Sequence, residues 1–320
     1  MIHAWPAHFS FDDILGSSDS LQSAIRLARR AAEGSYPTLI VGESGTGKEL
    51  FAHSIHNSSQ RREGPFVAIN CGTLCGDLAI AEMCGYEAGS FTGADRQARG
   101  GLLDAATNGT LFLDELQDLP PTAQSVLLRF LETGDFVRVG GTRPVHTNVN
   151  VIAASNITVD QLESEQRVRS DLLYRLNCLV IEIPPLRDRR EDLRPIAEKC
   201  LREELHFLGE VDDEVWTALR TCPYSWPGNA RGLRNIMLRA ILASAEDRIA
   251  AGDLPAELWI DRGVEGSKAD APHNGLGNGR HNGHRIDGIK AVLEASNNNV
   301  SETARRLGIH RSTVYRRLAR

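Results

Sequence analysis

The sequence lacks the features of membrane-spanning and secreted proteins and of proteins that bind a metal through cysteine. No apolar run approaches the ~20 residues that a membrane-spanning helix needs. The N-terminus has no basic segment followed by an apolar one, as a signal peptide would. The six cysteines form no CxxC pair and show no ligand-like spacing with histidine, which disfavours a metal site. We therefore expect a cytoplasmic protein whose thiols are reduced and mostly buried.

The chain also lacks an excess of positive charge, but its charges are unevenly distributed. The formal net charge is −6 over 320 residues, which by itself gives no reason to expect a nucleic acid or membrane partner. From Ile286 to Arg320, however, seven basic residues stand against three acidic ones, so this tail carries +4 and the remainder −10. The asymmetry predicts a polyanion-binding end on an acidic body.

Short β-branched runs alternate with helical patterns over the first two-thirds of the chain, which predicts a parallel sheet flanked by helices. Beyond Pro185 the strand pattern stops and helical stretches follow, which indicates a small all-helical domain. A segment rich in Gly, Asn and His then has the composition of a flexible linker. The predicted strands are 38–42, 65–70, 109–114, 148–155 and 178–183. The predicted domains are an α/β core at 1–184, the helical domain at 185–261, the linker at 262–285 and a terminal domain at 286–320.

One loop has the pattern of a phosphate-binding loop. Residues 42–49 read GESGTGKE, which fits G-x-x-x-x-G-K except that Glu49 stands where Ser or Thr is expected. The pattern alone is weak, but an apolar strand leads into it and an amphipathic helix leaves it. This setting places backbone N–H groups around a polyphosphate, with Lys48 against the β- and γ-phosphates. The predicted nucleotide-binding residues are Gly42, Glu43, Ser44, Gly45, Thr46, Gly47, Lys48 and Glu49.

The sequence LFLDE supplies the second half of such a site, because it is an apolar strand that ends in acids. Asp114 would hold Mg²⁺, directly or through water, and Glu115 would polarise an attacking water. Either motif alone could be a structural feature, such as a strand that ends in exposed carboxylates. The two motifs in this order, each with its strand, predict a nucleotide-binding domain.

The motifs GESGTGKE, GSFTGA, NGTLFLDE and SWPGNARGLRN occur in this order, and with them the chain resembles the bacterial enhancer-binding proteins. These are AAA+ transcriptional activators that act on RNA polymerase carrying sigma-54. The resemblance extends from Phe11 to Arg320, and the family also has an acidic residue at the position of Glu49. It implies an α/β AAA+ P-loop NTPase fold with a helical lid and a C-terminal helix-turn-helix. It also implies ATP and Mg²⁺ as cofactors and assembly as a homo-hexamer.

The segment GSFTGA at 89–94 corresponds to the diagnostic GAFTGA loop of that family, with serine in place of the first alanine. The resemblance implies that Phe91 and Thr92 contact the sigma factor. An apolar ring on a glycine-rich loop also has a simpler interpretation, in which Phe91 packs into its own core. The residues assigned to sigma-factor contact are Gly89, Ser90, Phe91, Thr92, Gly93 and Ala94.

Further site residues follow from the resemblance one position at a time. Asn70 corresponds to an asparagine that senses nucleotide and restrains the catalytic glutamate, and Asn156 corresponds to the sensor after the fourth strand. Arg169 and Arg175 are the two candidates for an arginine finger that reaches the γ-phosphate of a neighbouring subunit. Without the resemblance, the sequence alone would favour a surface ion pair for either arginine. Arg231 stands where the sensor arginine of the lid belongs.

Two positions depart from the pattern of the family. Gly232 replaces a glutamate, which weakens its helix by about 1 kcal/mol of propensity. Val168 replaces a phenylalanine beside the first finger candidate. Both departures are compatible with weaker coupling or with a ring that depends on a partner.

The basic tail has the spacing of a helix-turn-helix. VSETARRLGIHRSTVYRRL predicts a helix, a turn at Gly308 and a second helix, and it resembles the Fis-type ending of the same family. A basic amphipathic helix packed on the body is the alternative, but the preceding linker favours DNA binding. Dimerisation through IDGIKAVLEA would stabilise so small a unit. The predicted DNA-binding residues are Arg311, Ser312, Thr313, Tyr315, Arg316 and Arg317.

The sequence therefore predicts an ATP-hydrolysing activator that binds upstream enhancer DNA and remodels the closed complex of the sigma-54 RNA polymerase holoenzyme. The first alternative is a DNA-binding regulator or co-activator whose ATPase domain only controls oligomerisation. The second is an AAA+ unfoldase that threads substrates. Only residues 1–37 precede the first predicted strand, so no regulatory domain is expected there. Control would come from a separate regulatory protein, from expression level or from a lost upstream segment.

Overall fold

The structure, a computed structural model, describes residues 7–74, 76, 78–90, 97–244 and 247–259. By the proximity of its Cα atoms the chain divides into two compact units. Unit 1 comprises Met1–Leu208 and Trp226–Leu238, and unit 2 comprises Gly209–Ser225 and Arg239–Arg320. Among the residues described, no helix is both long and apolar enough to span a bilayer.

Unit 1 is built on a five-stranded parallel sheet in the order β2-β3-β6-β1-β7. Its strands are β1 Thr38–Val41, β2 Phe66–Asn70, β3 Thr110–Asp114, β6 Asn150–Ser155 and β7 Leu179–Glu182. All five strands predicted from the sequence are therefore confirmed, with ends trimmed by one or two residues. β1 and β6 are buried along their whole length, as expected for inner strands of a sheet that is covered on both faces.

Ten α-helices lie in the described part of the chain. They are α1 Asp19–Gly34, α2 Lys48–Asn57, α3 Leu78–Cys84, α4 Leu102–Ala105, α5 Pro121–Thr133, α6 Val159–Ser164, α7 Ser170–Leu176, α8 Leu193–Lys199, α9 Asp213–Thr221 and α10 Asn229–Ala243. A π-helical turn, Cys200–Glu204, continues α8. The sequence patterns predicted a helix after the loop 42–49, where α2 lies, and helices beyond Pro185, where α8, α9 and α10 lie. Helix α1 was not expected, although its buried Leu21, Ala24, Ile25 and Ala28 have helical spacing.

The two faces of the sheet bury separate apolar clusters, because successive side chains of a strand point to opposite sides. Ile40 and Ile152 pack in one cluster with α1 and α2, whose Phe51 is 1% exposed. Leu39 and Val151 pack in the other with side chains of α3, α5 and α7. Helices on both faces of a parallel sheet define the α/β architecture that the sequence predicted.

The cysteines of the described residues form no disulfide with one another, and four of the five are buried. Cys71 and Cys84 lie in the cluster of α3 and α5, and burial raises the pKa of both thiols, that of Cys84 to about 11. Thiols with raised pKa values are poor nucleophiles and poor metal ligands. The prediction of buried, reduced thiols agrees with this packing, while Cys75 lies outside the described residues.

A short hairpin, β4 Asp135–Val137 and β5 Pro144–His146, follows α5 in unit 1. Val139, in its connecting loop, forms a β-bridge with Tyr86, which also bridges Arg99. These bridges tie the base of the segment that contains 89–94 to the hairpin.

Unit 2 contains α9, the last part of α10 and a two-residue parallel pairing of β8 Glu210–Val211 with β9 Arg248–Ile249. The sequence predicted helices alone here, because strands of two residues carry no period that could be recognised. Two ion pairs lie at the surface of unit 2. Arg248 pairs with Asp212 at 2.7 Å, and Arg239 pairs with Glu257 at 2.6 Å.

Replacing Gly232 with alanine should stabilise the protein. No heavy atom lies within 4 Å of the Cβ that alanine would add, and this glycine lies inside α10. Alanine should therefore add about 1 kcal/mol of helix propensity and raise the midpoint of thermal unfolding by about 2–4 °C. Gly228→Ala is the matched comparison, because its Cβ would lie only 3.0 Å from the Gly232 Cα. Calorimetry that ranked Gly228→Ala above Gly232→Ala would contradict this account of the helix.

Candidate nucleotide-binding site

The predicted site residues meet at one edge of the sheet. The loop 42–49 follows β1, and Asn156 follows the neighbouring β6. Asp114 is the last residue of β3, and Asn70 is the last residue of β2 and its register partner. Because all these strands are parallel, their carboxyl ends lie together, and ligands of open α/β sheets bind at this edge.

The backbone of the loop 42–49 forms a concave cradle, and side chains at its glycine positions would fill that space. Gly45 and Gly47 have φ angles of +79° and +104°, a region that favours glycine. A Cβ on Gly45 would also lie 2.3 Å from the carbonyl oxygen of Gly228. Since α2 begins at Lys48, the free N–H groups of its first turn add to the cradle. This geometry fits a bound phosphate group.

Lys48 lies within the loop. Its Nζ donates hydrogen bonds to the carbonyl oxygens of Gly42 at 2.6 Å and Glu43 at 3.1 Å. Burial lowers the pKa of the lysine, while the charges of Asp114 and Glu115 act in the opposite direction. The ammonium group is therefore close enough to both predicted acids for their charges to act on it, as is expected of a lysine that contacts phosphates beside a metal site.

The two acids occupy different environments. Burial raises the pKa of Asp114, whose Oδ1 accepts a hydrogen bond from the backbone N–H of Glu115 at 2.9 Å. Glu115 has a φ of +53°, a conformation that side chains rarely adopt and that is concentrated at functional sites. Asn70 Nδ2 donates to Glu115 Oε2 at 2.9 Å, so the two residues that the sequence paired are in contact. Mg²⁺ prefers hard oxygen ligands, and carboxylate oxygens at this position are ligands of that kind.

Arg231 also reaches the loop, where its Nη1 donates to Ser44 Oγ at 3.2 Å. Asn156 is exposed after the end of β6. Glu49 is exposed as well, and its nearest basic group is His53 at 3.9 Å. The structure therefore places the sensor candidates beside the loop.

Three residues that sequence patterns did not single out also contact the loop. Arg187 pairs with Glu43 at 2.7 Å, and this contact holds the pKa of the Glu43 carboxyl below its usual range. Arg189 and Asn229 donate hydrogen bonds to backbone carbonyls of the loop. Asn229 is next but one to Arg231 and could have been suspected from that position, whereas nothing in the sequence marks Arg187 or Arg189.

The two arginine-finger candidates lie at the protein surface around α7. Arg169 pairs with Asp171 at 2.7 Å and borders a groove of about 1120 Å³, while Arg175 lies 3.9 Å from Glu132. Each arginine side chain is half exposed. Exposed pairs of this kind contribute ~0–1 kcal/mol, so either arginine could leave its partner for a stronger anion at little cost.

The segment 89–94 is described only at its first two residues. Ser90 packs against Gly140 in the β4–β5 loop, and among the described residues its buried hydroxyl has no hydrogen-bond partner. The contact residues Phe91, Thr92, Gly93 and Ala94 lie outside the described residues, as do the DNA-binding residues Arg311, Ser312, Thr313, Tyr315, Arg316 and Arg317. Their assignments stay predictions.

Known protein families match three consecutive parts of the chain. Residues 14–182 match the family model described as the sigma-54 interaction domain. The chain belongs to the sigma-54 interaction domain family. Residues 187–271 match the AAA+ ATPase lid domain, and residues 288–320 match the bacterial regulatory proteins of the Fis family. The order of the three matches is the architecture of the sigma-54-dependent activators, and it confirms the predicted fold class with its helical lid and helix-turn-helix.

Two of the relatives that the chain matches are transcriptional regulators. The chain is 37% identical over 312 residues to the acetoin dehydrogenase operon transcriptional activator AcoR of Bacillus subtilis, covering 97% of this chain and 51% of AcoR. It is 40% identical over 264 residues to the DNA-binding transcriptional regulator NtrC of Salmonella typhimurium, covering 81% of this chain and 55% of NtrC. The chain thus spans about half the length of the curated relatives it matches.

Solved structures of the family extend the comparison. NtrX of Brucella abortus, crystallised in complex with ATP, is 29% identical and superposes with a TM-score of 0.67, covering 96% of this chain and 68% of NtrX. NtrX was also crystallised with ADP, with a TM-score of 0.66. The AAA+ domains of the sigma-54 interaction domain family are ATPase domains, and the Fis-family match identifies a DNA-binding helix-turn-helix at the C-terminal end. The roles of individual residues and the domain boundaries stay predictions.

Proposed function

We propose that this chain is an ATP-hydrolysing transcriptional activator that remodels the closed complex of sigma-54 RNA polymerase through its GSFTGA loop. The observation that carries the proposal is the 2.9 Å hydrogen bond from Asn70 to Glu115. Asn70 ends β2, and the chain continues from it through α3 to Gly85 and the base of the 89–94 segment. The residue that holds the catalytic carboxylate therefore begins the segment that carries the loop.

In this proposal each residue of the site has a separate task. The backbone N–H groups of the loop and Lys48 bind the phosphates of ATP, and Asp114 holds Mg²⁺, which offsets the charge on those phosphates. Glu115 accepts the proton of the attacking water. Before that step, Asn70 restrains the Glu115 carboxylate through their 2.9 Å hydrogen bond. When Glu115 turns toward that water, its hydrogen bond to Asn70 changes, and the shift passes along the segment to the loop.

The remaining assignments complete the proposal. Arg169 or Arg175 reaches the γ-phosphate bound by a neighbouring subunit, which requires a ring, taken to be a homo-hexamer. Phe91 and Thr92 contact sigma-54. The helix-turn-helix binds an upstream enhancer site as a dimer, with Arg311 and Arg316 near base edges and phosphates.

The test is transcription from a sigma-54 promoter with purified holoenzyme, the full chain and an upstream binding site. We expect transcripts with ATP and none with ADP or with a non-hydrolysable ATP analogue, because assembly alone would not open the promoter. Holoenzyme carrying a different sigma factor is the control. Equal stimulation by the non-hydrolysable analogue would contradict the proposal and would favour an ATPase domain that only controls oligomerisation.

A further inference from the structure

Three consecutive peptide carbonyls of the phosphate-binding loop, at residues 44–46, accept hydrogen bonds from donors outside the loop. The donors lie in two segments of unit 1, after β7 and at the start of α10. The bonds run from Asn229 Nδ2 to Ser44 at 3.0 Å, from the Ala230 backbone N–H to Gly45 at 3.0 Å and from Arg189 Nη2 to Thr46 at 3.2 Å. We call Arg189, Asn229 and Ala230 the carbonyl clasp.

Holding these carbonyls fixes the direction of the N–H groups that follow them. In a trans peptide the C=O and the next N–H point in opposite directions across one rigid plane. The bonds to Ser44 and Thr46 therefore direct the N–H groups of Gly45 and Gly47 away from the clasp, while the Thr46 N–H faces the Glu43 carbonyl at 3.3 Å. The N–H groups of Gly45 and Gly47 are then left to point away from the clasp, and backbone N–H groups that converge on one side form an anion-binding concavity. The clasp thus acts on the groups that meet phosphate.

Asn229 is itself held rigidly. It is fully buried, with a φ of +47° at the start of α10. Its Oδ1 accepts from the Leu186 backbone N–H at 2.7 Å, and its Nδ2 donates to Glu43 Oε2 at 3.2 Å as well as to the loop carbonyl. An amide with partners at both ends has one orientation, so its hydrogen bond to Ser44 is fixed before any ligand binds.

Arg189 is a buried cation with an incomplete set of partners. It is 2% exposed, and its Nε has no hydrogen-bond partner among the described residues. Burial lowers its pKa, which the charge of Asp192 partly opposes. A buried guanidinium without full hydrogen bonding is costly for folding, and such groups are retained where they serve a site. Its bond to the Thr46 carbonyl identifies the phosphate-binding loop as that site.

We propose that Asn229 and Arg189 are positioning residues that hold the carbonyls of Ser44 and Thr46 outward, so that the N–H groups of Gly45 and Gly47 are directed at the phosphates of the nucleotide. This proposal rests on the nucleotide site of the proposed function, but it concerns binding alone. It predicts a loss of binding affinity that depends on the phosphate chain of the ligand and not on its adenosine part.

The test measures equilibrium binding of ATP and of inorganic tripolyphosphate to the full chain by calorimetry. Asn229→Gly suits the left-handed backbone at this position and removes the donor without adding a charge. We expect it to weaken the binding of both ligands by the same factor, about three- to tenfold, because the Ser44 carbonyl loses its hydrogen bond. Arg189→Met should do the same, and it keeps the test decisive if the glycine variant fails to fold.

Matched controls exist for both substitutions. Asn108→Gly changes another asparagine with a positive φ, at +61°, before the start of β3 and so at the opposite edge of the sheet. Arg234→Met removes a cation that pairs with Glu204 at 2.7 Å. Both should bind the two ligands like the wild type.

Three outcomes would overturn the proposal. Wild-type affinity for tripolyphosphate in a folded Asn229→Gly protein would refute the proposed role of the carbonyl clasp, while the proposed nucleotide site would stand. A loss of ATP affinity without a matching loss for tripolyphosphate would assign Asn229 to the adenosine side instead. If the wild-type chain bound neither ligand, the nucleotide site of the proposed function would be wrong, and the clasp with it.

Discussion

Glu115→Gln should lower the rate of ATP hydrolysis by at least about 100-fold while ATP affinity stays close to that of the wild type. Glutamine has the shape of glutamate, and its amide oxygen can still accept the 2.9 Å hydrogen bond from Asn70. It cannot take a proton from water, however. The unusual backbone at Glu115, with φ at +53°, is unchanged by the substitution, so the loss reports on the carboxylate alone.

Single-turnover hydrolysis and equilibrium ATP binding, measured on the same preparation, separate the chemical step from binding. Glu63→Gln provides the control, because the Glu63 side chain is 89% exposed and pairs only with the neighbouring Arg62 among the described residues. It should hydrolyse ATP like the wild type. If Glu115→Gln retained turnover near that of the control, Glu115 would not be the group that activates water.

The parts of the site that lie on regular elements could be predicted from the sequence. The loop at 42–49 was recognisable because its glycines and Lys48 stand between a β-branched strand and an amphipathic helix. Asp114 was recognisable because it ends an apolar strand. Parallel pairing then brings these ends together without further information, since β1, β6 and β3 are neighbours.

The carbonyl clasp could not be predicted in this way. Arg189 and Thr46 are 143 residues apart, and Asn229 and Ser44 are 185 residues apart. Local periodicity describes only neighbours along one element, so contacts between segments this distant leave no mark in the pattern. Only the packing of unit 1 shows that Arg189 is buried against the loop.

Ser90 illustrates a different limit. It replaces the alanine of the family pattern, and its side chain is small enough to pack against Gly140. No sequence pattern indicates that Gly140 has a φ of +77°, or that a Cβ on Gly140 would lie 2.4 Å from the Ser90 Cβ. The contact depends on the β4–β5 hairpin, whose three-residue strands are too short to be recognised by their pattern.

The central claim is that ATP hydrolysis opens the promoter through the GSFTGA loop, and the Thr92→Ala and Phe91→Ala proteins test it most directly. Neither residue is needed for nucleotide binding in this account, whereas truncating a phenylalanine of the core would cost about 3–5 kcal/mol of stability. Thr217→Ala, at an exposed position of α9, is the matched control.

The measurement is strand opening at a sigma-54 promoter with purified holoenzyme and ATP, recorded beside the ATPase rate of the same proteins. We predict that Thr92→Ala and Phe91→Ala fold, hydrolyse ATP at nearly the wild-type rate and open no promoter, while Thr217→Ala opens it normally. Substantial promoter opening by a well-folded Thr92→Ala protein would contradict the account.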